Sequence, residues 1–436
     1  AKESPVQPFR PPENSSKTLS ATYQRPYHMH GSIGPSAAIA LYDAQVLKVW
    51  THSQGIFPLR LALADVLGLA EDKIHLVHVP GAGCYGHNGA DDVALDAALA
   101  ARAVPGRPIM LKWERADEHA WEPFGSAMQI ELQASLDDTG RVIYWNHETF
   151  SDTHMSRPSA HRENSRLLAA WHLQSPRPAP PVKPTPGFHT GIHRNADPIY
   201  DFADRRVVKH LVHDLPLRVS ALRSLGAYAN VFAIESFMDE LAHFRDMDPL
   251  EFRLAHLSDN RARAVLEAAT SKANSGFSSA DDGHGRGLAV ARYKNSKCYV
   301  AVVIDLIVDD YGAIQLLRAV IAADAGQIVD PDGLRNQLEG GLMQSASWTL
   351  KEQVNFDDKG IVSRDWESYP ILTFAEVPEI ETVLIDRPDQ PFLGSGEATQ
   401  GPTAAAIGNA IFYAIGLRLR RIPFTQDRVR DAAAEV

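Results

Sequence analysis

The chain has 436 residues, 44% hydrophobic and 22% charged, with a net charge of -11 and only two cysteines. That length points to two domains and that composition to an ordinary globular protein. The acidic balance, with no Lys/Arg stripe, argues against nucleic acid as a partner; no run of 18 apolar residues marks a membrane span; and Cys84 and Cys298, far apart, make neither a disulfide framework nor an iron–sulfur cluster within this chain.

Residues 1–20 are polar and Pro-rich and read as an extended arm. Residues 41–51 read as a strand ending near Gln54, residues 58–67 as a helix stopped by Gly68, and residues 74–79 as a strand. A Gly-rich stretch, 80–89, precedes an amphipathic helix over 91–104, with Asp91 or Asp92 near its cap. Strands follow over 108–113 and 128–134. Residues 151–200 are irregular, with a Pro cluster at 176–186, and a loop that long is usually functional or an interface element. A helix covers 231–244. Asp248-Pro249-Leu250-Glu251 opens another, with a cap, a first-position Pro and an acid three residues after the cap. The Ser/Gly/Asp-rich stretch 270–287 marks the boundary. It divides the chain into the arm (1–20), a first domain (21–269) that holds the irregular insertion, and a second domain segment (270–436). Beyond it, strands over 299–308 and 314–322 flank Asp309-Asp310-Tyr311-Gly312, a hairpin signal.

Gly81-Ala82-Gly83-Cys84-Tyr85-Gly86 has the G-x-G-x-x-G spacing of a dinucleotide site. Such a site needs its helix to begin inside the glycines and an acid about 20 residues on. Here the helix begins only near Asp91, and Arg102, Ala103 and Val104 occupy the acid's zone. A structural turn, or a loop whose backbone approaches another cofactor, remains. Of the histidines, His28, His30, His75, His78 and His87 include a pair two apart that could ligate a metal, but no third ligand sits at a helpful spacing. They read as polar or packed side chains. Arg223, beside a Gly turn, suits either a carboxylate clamp or an ordinary salt bridge. Glu397 lies in Gly394-Ser395-Gly396-Glu397, ahead of a helical run over 403–416 with Pro402 in its first turn and Gly416 at its stop. It reads either as a helix-start carboxylate complementing the dipole or as a base on a loop whose glycines allow close approach to a ligand.

Several ordered segments carry a more specific signal: THSQG (51–55), GAGCYGHNGADD (81–92), RNADPIYDF (194–202), LRSLGAYANVFAIESFMDELAH (222–243), QLEGGLMQSASWTLKE (337–352), DWESYPI (365–371) and GSGEATQGP (394–402). Together they resemble the molybdenum-cofactor-binding subunit of the xanthine oxidase family, and within it the isoquinoline 1-oxidoreductase and nicotinate dehydrogenase branch. The resemblance runs from about residue 23 to the C-terminus. It implies an α+β fold of mixed sheets with packed helices, as in the large subunit of molybdenum hydroxylases. It implies hydroxylation of an N-heteroaromatic ring carbon with water as oxygen source, the alternatives being aldehyde oxidation or a non-catalytic scaffold subunit. The implied cofactor is a molybdenum–pterin, plain or as its cytosine dinucleotide, whose dithiolene and not a side chain holds the metal. The implied partners are an N-terminal half or companion molybdenum-binding subunit, a small two-cluster iron–sulfur subunit and, as a candidate relay, a cytochrome c.

The resemblance also implies residue roles. Gln54, Arg223 and Glu397 map to the catalytic positions, with Glu397 the general base, a task that benefits from an apolar setting. Gly83, Cys84, Tyr85 and Gly86, with Gln344 and with Gly394, Ser395 and Gly396, map to the cofactor-binding positions. Two departures matter. Asn88 and Gly89 stand where purine-oxidising members carry a second Glu, so purines are not expected as substrates. The GQGxxT segment that holds the pterin in the family has no counterpart, since Gly326-Gln327 sits in DAGQIVDP. That implies a C-terminal part or a split subunit, completing a site begun on another chain.

Overall fold

Three four-stranded sheets and the helices that cover them frame a central cavity. The computed structural model describes residues 10–187, 189–275 and 283–435. One sheet runs in the order Lys17–Arg25, Met128–Leu136, Val142–Ser151, Asp204–Leu211. Its first three strands are antiparallel neighbours and its last pairs in parallel. Met128–Leu136 alternates buried and half-buried residues along most of its length, as a strand with one covered face should. Tyr23, Ile130, Leu132 and Trp145 pack in one core with Phe232 and Phe237 of the helix Ala227–Phe244. The expected arm therefore ends earlier than predicted: Lys17–Ser20 belong to the first strand, paired with residues 133–136, and residues 1–9 lie outside the described residues.

A second sheet orders Ile74–His78, Val46–Thr51, Ala37–Asp43 and Ile109–Lys112. The helices Ile56–Leu67 and Ala90–Ala103 cover it and close a core of their own through Leu59, Leu63, Val93 and Ala97. The single strand expected over 41–51 is a hairpin. It turns at Ala44 and Gln45, both left-handed (φ 44° and 63°), and lacks the Asn or Gly that usually announces such a turn. Gly68 (φ 65°) ends its helix as expected. Asp91 and Asp92 do not cap theirs: both are buried, Asp91 accepting from Ser53 Oγ (2.7 Å) and Asp92 pairing with Arg218 (2.8 Å). The expected cap at Asp248 forms, its carboxylate accepting from Leu250 N and Glu251 N.

The third sheet orders His284–Arg292, Tyr299–Val308, Ile314–Asp324 and Glu379–Leu384. Tyr299–Val308 is buried almost throughout, which explains its apolar run, interrupted by Asp305, which pairs with Arg286. The helix Gln400–Ile415 lies directly on this sheet because Gly285 and Gly287 let it. A Cβ at either would come within 2.0 Å of the carbonyl oxygen of Ala410 or Ala406. The same helix meets Ala227–Phe244 at Gly401, where a Cβ would strike Val231 at 2.4 Å. One hydrophobic core thus runs from Ala21 to Val429. The segments expected at 21–269 and 270–436 share it; residues 276–282 of the expected boundary lie outside the described residues. The mixed α+β architecture is as expected. Among the described residues no helix is long and apolar enough to cross a membrane.

Candidate active site

Glu397 projects from the loop just ahead of the helix Gln400–Ile415. Backbone bonds from Leu393 N to Ala325 O (2.7 Å) and from Cys298 N to Gly394 O (3.3 Å) tie that loop to the third sheet. Gly326 packs beneath it with φ 71°, where a Cβ would meet Pro391 O at 2.0 Å. The Gly326-Gln327 pair therefore has a structural role here. Glu397 does not cap its helix. Its Oε1 accepts from Ser224 N at 2.9 Å, and its Oε2 accepts from the Tyr293 hydroxyl at 2.5 Å. Arg194 Nη1 lies 3.8 Å from Oε2 and donates to the Tyr293 oxygen at 2.7 Å. The carboxylate side chain keeps 34% of its surface exposed. Its setting is polar and cationic, not the apolar one expected.

Strained backbone aims the Ser224 amide. Ser224 and Leu225 are both left-handed (φ 67° and 53°), at a cost of order 1–3 kcal/mol each. Leu225 N donates to Leu222 O (2.8 Å) and closes the turn. Next to it, Arg223 uses its fork within the chain. Nε donates to Gly396 O (2.7 Å), Nη1 to Gln344 Oε1 (3.3 Å) and Nη2 to the backbone and side-chain oxygens of Gln337 (3.1 and 3.2 Å). This guanidinium braces the loop that carries Glu397.

The Gly-rich loop docks on the same segment. Tyr85 and Gly86 have φ of 54° and 131°, and a Cβ at Gly86 would lie 2.0 Å from Ala221 O. Arg223 N donates to Tyr85 O and His87 N to Ala221 O, both at 2.7 Å, so residues 85–87 and 221–223 form a short ladder. Cys84 Sγ donates to Gly86 O (3.0 Å), and burial pushes the thiol up to about 11. His30 supports the ladder from behind, contacting Glu122 at 3.0 Å and Ala221 O at 2.9 Å. His87 pairs with Asp91 at 3.1 Å. No cluster of three or more metal-ligating side chains occurs among the described residues.

These segments enclose a cavity of about 880 Å³. Gln54, Tyr85, Gly86, Arg223, Gln344, Gly396 and Glu397 all line it, whereas Gly83, Cys84, Gly394 and Ser395 lie outside the lining. Gln54 accepts from Arg157 Nη2 at 3.0 Å. The irregular 151–200 region supplies Met155, Arg157 and Arg194 to the wall. Arg194 is held there by Asn230, whose amide donates to Ile192 O and Arg194 O (2.8 and 3.0 Å). Tyr293 and Ser224 went unnoticed in the sequence. Arg194 heads RNADPIYDF and could have been singled out, but nothing in the pattern around Tyr293 marks it. Asn88 and Gly89 sit behind the wall. Asn88 is fully buried and accepts from Ala90 N (3.1 Å), and a Cβ at Gly89 would strike Trp113 at 2.4 Å. Neither residue lines the cavity.

Residues 12–174 and 180–257 match one molybdopterin cofactor-binding domain family, and residues 231–378 match a second. The chain belongs to the molybdenum-binding subunits of the xanthine oxidase family. Over 96% of its length it is 40% identical to a nicotinate dehydrogenase subunit of Pseudomonas putida, covering 35% of that protein. Over 92% it is 27% identical to the beta chain of isoquinoline 1-oxidoreductase from Brevundimonas diminuta, covering 48% of it. The chain thus spans about a third to a half of these relatives. The fold is similar to that of quinoline 2-oxidoreductase from Pseudomonas putida 86, with a TM-score of 0.77 at 13% identity over 97% of this chain and 77% of that one. It is also similar to that of the aldehyde oxidoreductase of Desulfovibrio gigas, with a TM-score of 0.75 at 16% identity over 96% and 61%.

The cavity fits a bulky polar cofactor. On its wall, a Cβ at Gly31 or Gly340 would meet no atom of the described residues within 4 Å. Arg194 Nε, on the same wall, finds no hydrogen-bond partner among the described residues.

Proposed function

We propose that this chain forms the base-bearing wall of a molybdenum hydroxylase active site and acts in hydroxylation of an N-heteroaromatic ring carbon, with water as the oxygen source. The observation that carries this reading is the placement of Glu397: a partly exposed carboxylate fixed at both oxygens, facing a large cavity of a molybdopterin-binding fold. Each carboxylate oxygen keeps a lone pair beyond the bond it already accepts, so Glu397 can take a proton while Ser224 N and Tyr293 hold its orientation. Arg223 is a positioning residue, acting through Gly396 O. Gln54, the Tyr85-Gly86 loop, Gln344 and the Gly394–Gly396 loop are the candidate cofactor contacts. When bound, the molybdenum–pterin cofactor, plain or as its cytosine dinucleotide, supplies the two-electron redox chemistry. The relatives named for nicotinate, isoquinoline and quinoline favour flat nitrogen rings as substrates, and Met155 and Met343 give the cavity apolar surface to receive one.

Electrons leave through another subunit. Cys298 is buried and its thiol is pushed up to about 12, Cys84 is tied into its loop, and the two cannot build a cluster. A two-cluster iron–sulfur partner, relaying in turn to a cytochrome c, fits this need. In the purified, cofactor-loaded protein, Glu397→Gln should lower turnover by roughly 10² to 10⁴-fold, the usual worth of a general base, with molybdenum content unchanged. Near wild-type turnover in that variant would remove Glu397 from the reaction.

A further inference from the structure

Four cations and two carboxylates face the cavity: Arg157, Arg194, Arg223 and Lys294 against Glu397 and Glu352. Three of the cations are engaged. Arg223 braces the Gly396 loop, Arg194 serves Tyr293 and Glu397, and Arg157 donates to Gln54. The Lys294 ammonium lies 5.9 Å from the centre of the Tyr293 ring and makes no hydrogen bond or ion pair with any described residue. Burial and the nearby Arg194 lower its pKa more than the nearby Glu397 raises it, so an anion arriving beside it would favour the charged form.

Lys294 is also held in place at a cost. It and Asn295 are both left-handed (φ 54° and 52°), where an unconstrained chain would favour glycine. Asn195 locks the turn, accepting from Lys294 N (2.8 Å) and donating to Arg292 O (2.8 Å), and Asn295 Nδ2 donates to Asp197 O (2.8 Å). The turn therefore fixes Lys294 to the same 194–197 segment that presents Arg194 to Glu397. Strain kept at a residue whose charge is unpaired and faces a cavity is the pattern of a ligand clamp.

We propose, on the reading of this cavity as the substrate site, that Lys294 is the receptor for the carboxylate of an anionic ring substrate, and that it selects heteroaromatic carboxylates over their uncharged analogues. Arg157, with a single side-chain bond to Gln54, has donors left to share that carboxylate.

The test compares pyridine-3-carboxylate with uncharged pyridine-3-carboxamide, using the cofactor-loaded protein and its Lys294→Met and Lys294→Arg variants. Calorimetric affinity, the KM and kcat for each ring, and molybdenum content are measured together. Lys294→Met should weaken carboxylate binding, and raise its KM, by about 10- to 100-fold, the worth of a charged hydrogen bond. The carboxamide constants, kcat and metal content should hold, and Lys294→Arg should recover most of the affinity. Unchanged carboxylate binding in Lys294→Met, or an equal loss for both rings, would overturn the assignment. Loss of molybdenum with the lysine would also overturn it, and make Lys294 a cofactor contact. If both rings are oxidised and only the lysine effect is missing, the receptor falls and the proposed reaction stands. If neither ring is oxidised but carboxylate binding still depends on Lys294, the reverse holds.

Discussion

Tyr293 and Arg194 show how much of a carboxylate's behaviour its neighbours decide. Tyr293 donates to Glu397 Oε2 at 2.5 Å and accepts from Arg194 at 2.7 Å. Burial and the Glu397 charge raise the phenol's pKa well above its ordinary value, so it stays a donor throughout the working range. Tyr293→Phe should cost about 0.5–1.5 kcal/mol of transition-state stabilisation and shift the pH profile of kcat/KM; an unmoved profile would reduce Tyr293 to packing. Glu352, on the same wall, gives a different pH signature. Burial pushes its carboxyl up to about 7, and Ser347 donates to it. The fold thus favours the neutral acid. That contribution is complete below the ordinary carboxylate range and is lost as pH rises through about 7. Glu352→Gln should therefore lose less stability than the wild type between acidic and alkaline pH, by about 2 to 3 kcal/mol. Melting temperatures across that range check this, and an unchanged pH dependence would contradict it. Glu397, Gln54, Arg223 and the Tyr85-Gly86 loop could be picked out from sequence because each sits in a motif with glycines or polar residues at unusual spacing. Tyr293, Ser224 and Lys294 could not, because what matters there is a left-handed backbone or a contact spanning 100 residues or more, and neither leaves a local pattern.

At the level of elements, Gly285 and Gly287 allow the helix Gln400–Ile415 to rest on the third sheet, and that helix in turn sets the height of the Glu397 loop. Gly287→Ala would press a methyl toward Ala406 O, 2.0 Å from its ideal position. It should destabilise the protein by about 1–3 kcal/mol and lower turnover through the displaced loop. Equal denaturation midpoints for variant and wild type would show that the helix can retreat freely. Most helices were readable, since Gly68, Asp248 and Gly416 mark ends that the fold uses. The hairpin at Ala44-Gln45 was not, because its strained turn carries ordinary residues. The role of Asp91 and Asp92 was missed because an acid at a helix start suggests a cap, while tertiary partners Ser53 and Arg218 claim both.

For the molecule as a whole, the motifs seen one by one in the sequence converge on a single cavity. Gln54 comes from the segment just after the inner strand Val46–Thr51, Arg223 from the turn before Ala227–Phe244, Gln344 from the helix Pro331–Leu350 and Glu397 from the loop before Gln400–Ile415. The Ser/Gly-rich stretch near 270 reads as a linker, and one core draws residues from both sides of it. No residue of this cavity matches the family's pterin-holding GQGxxT segment, and Gly326-Gln327 serves the Glu397 loop instead. We infer that the remaining pterin contacts come from polypeptide beyond these 436 residues, a companion chain or another part of a longer one. An interface that completes an active site should be obligate and bury on the order of 2,000 Å² or more. The most direct measurement is the molybdenum and pterin content of this chain purified alone and purified with that companion polypeptide. The account predicts little of either in the solitary chain and near-stoichiometric cofactor in the assembled protein; full occupancy in the solitary chain would contradict it.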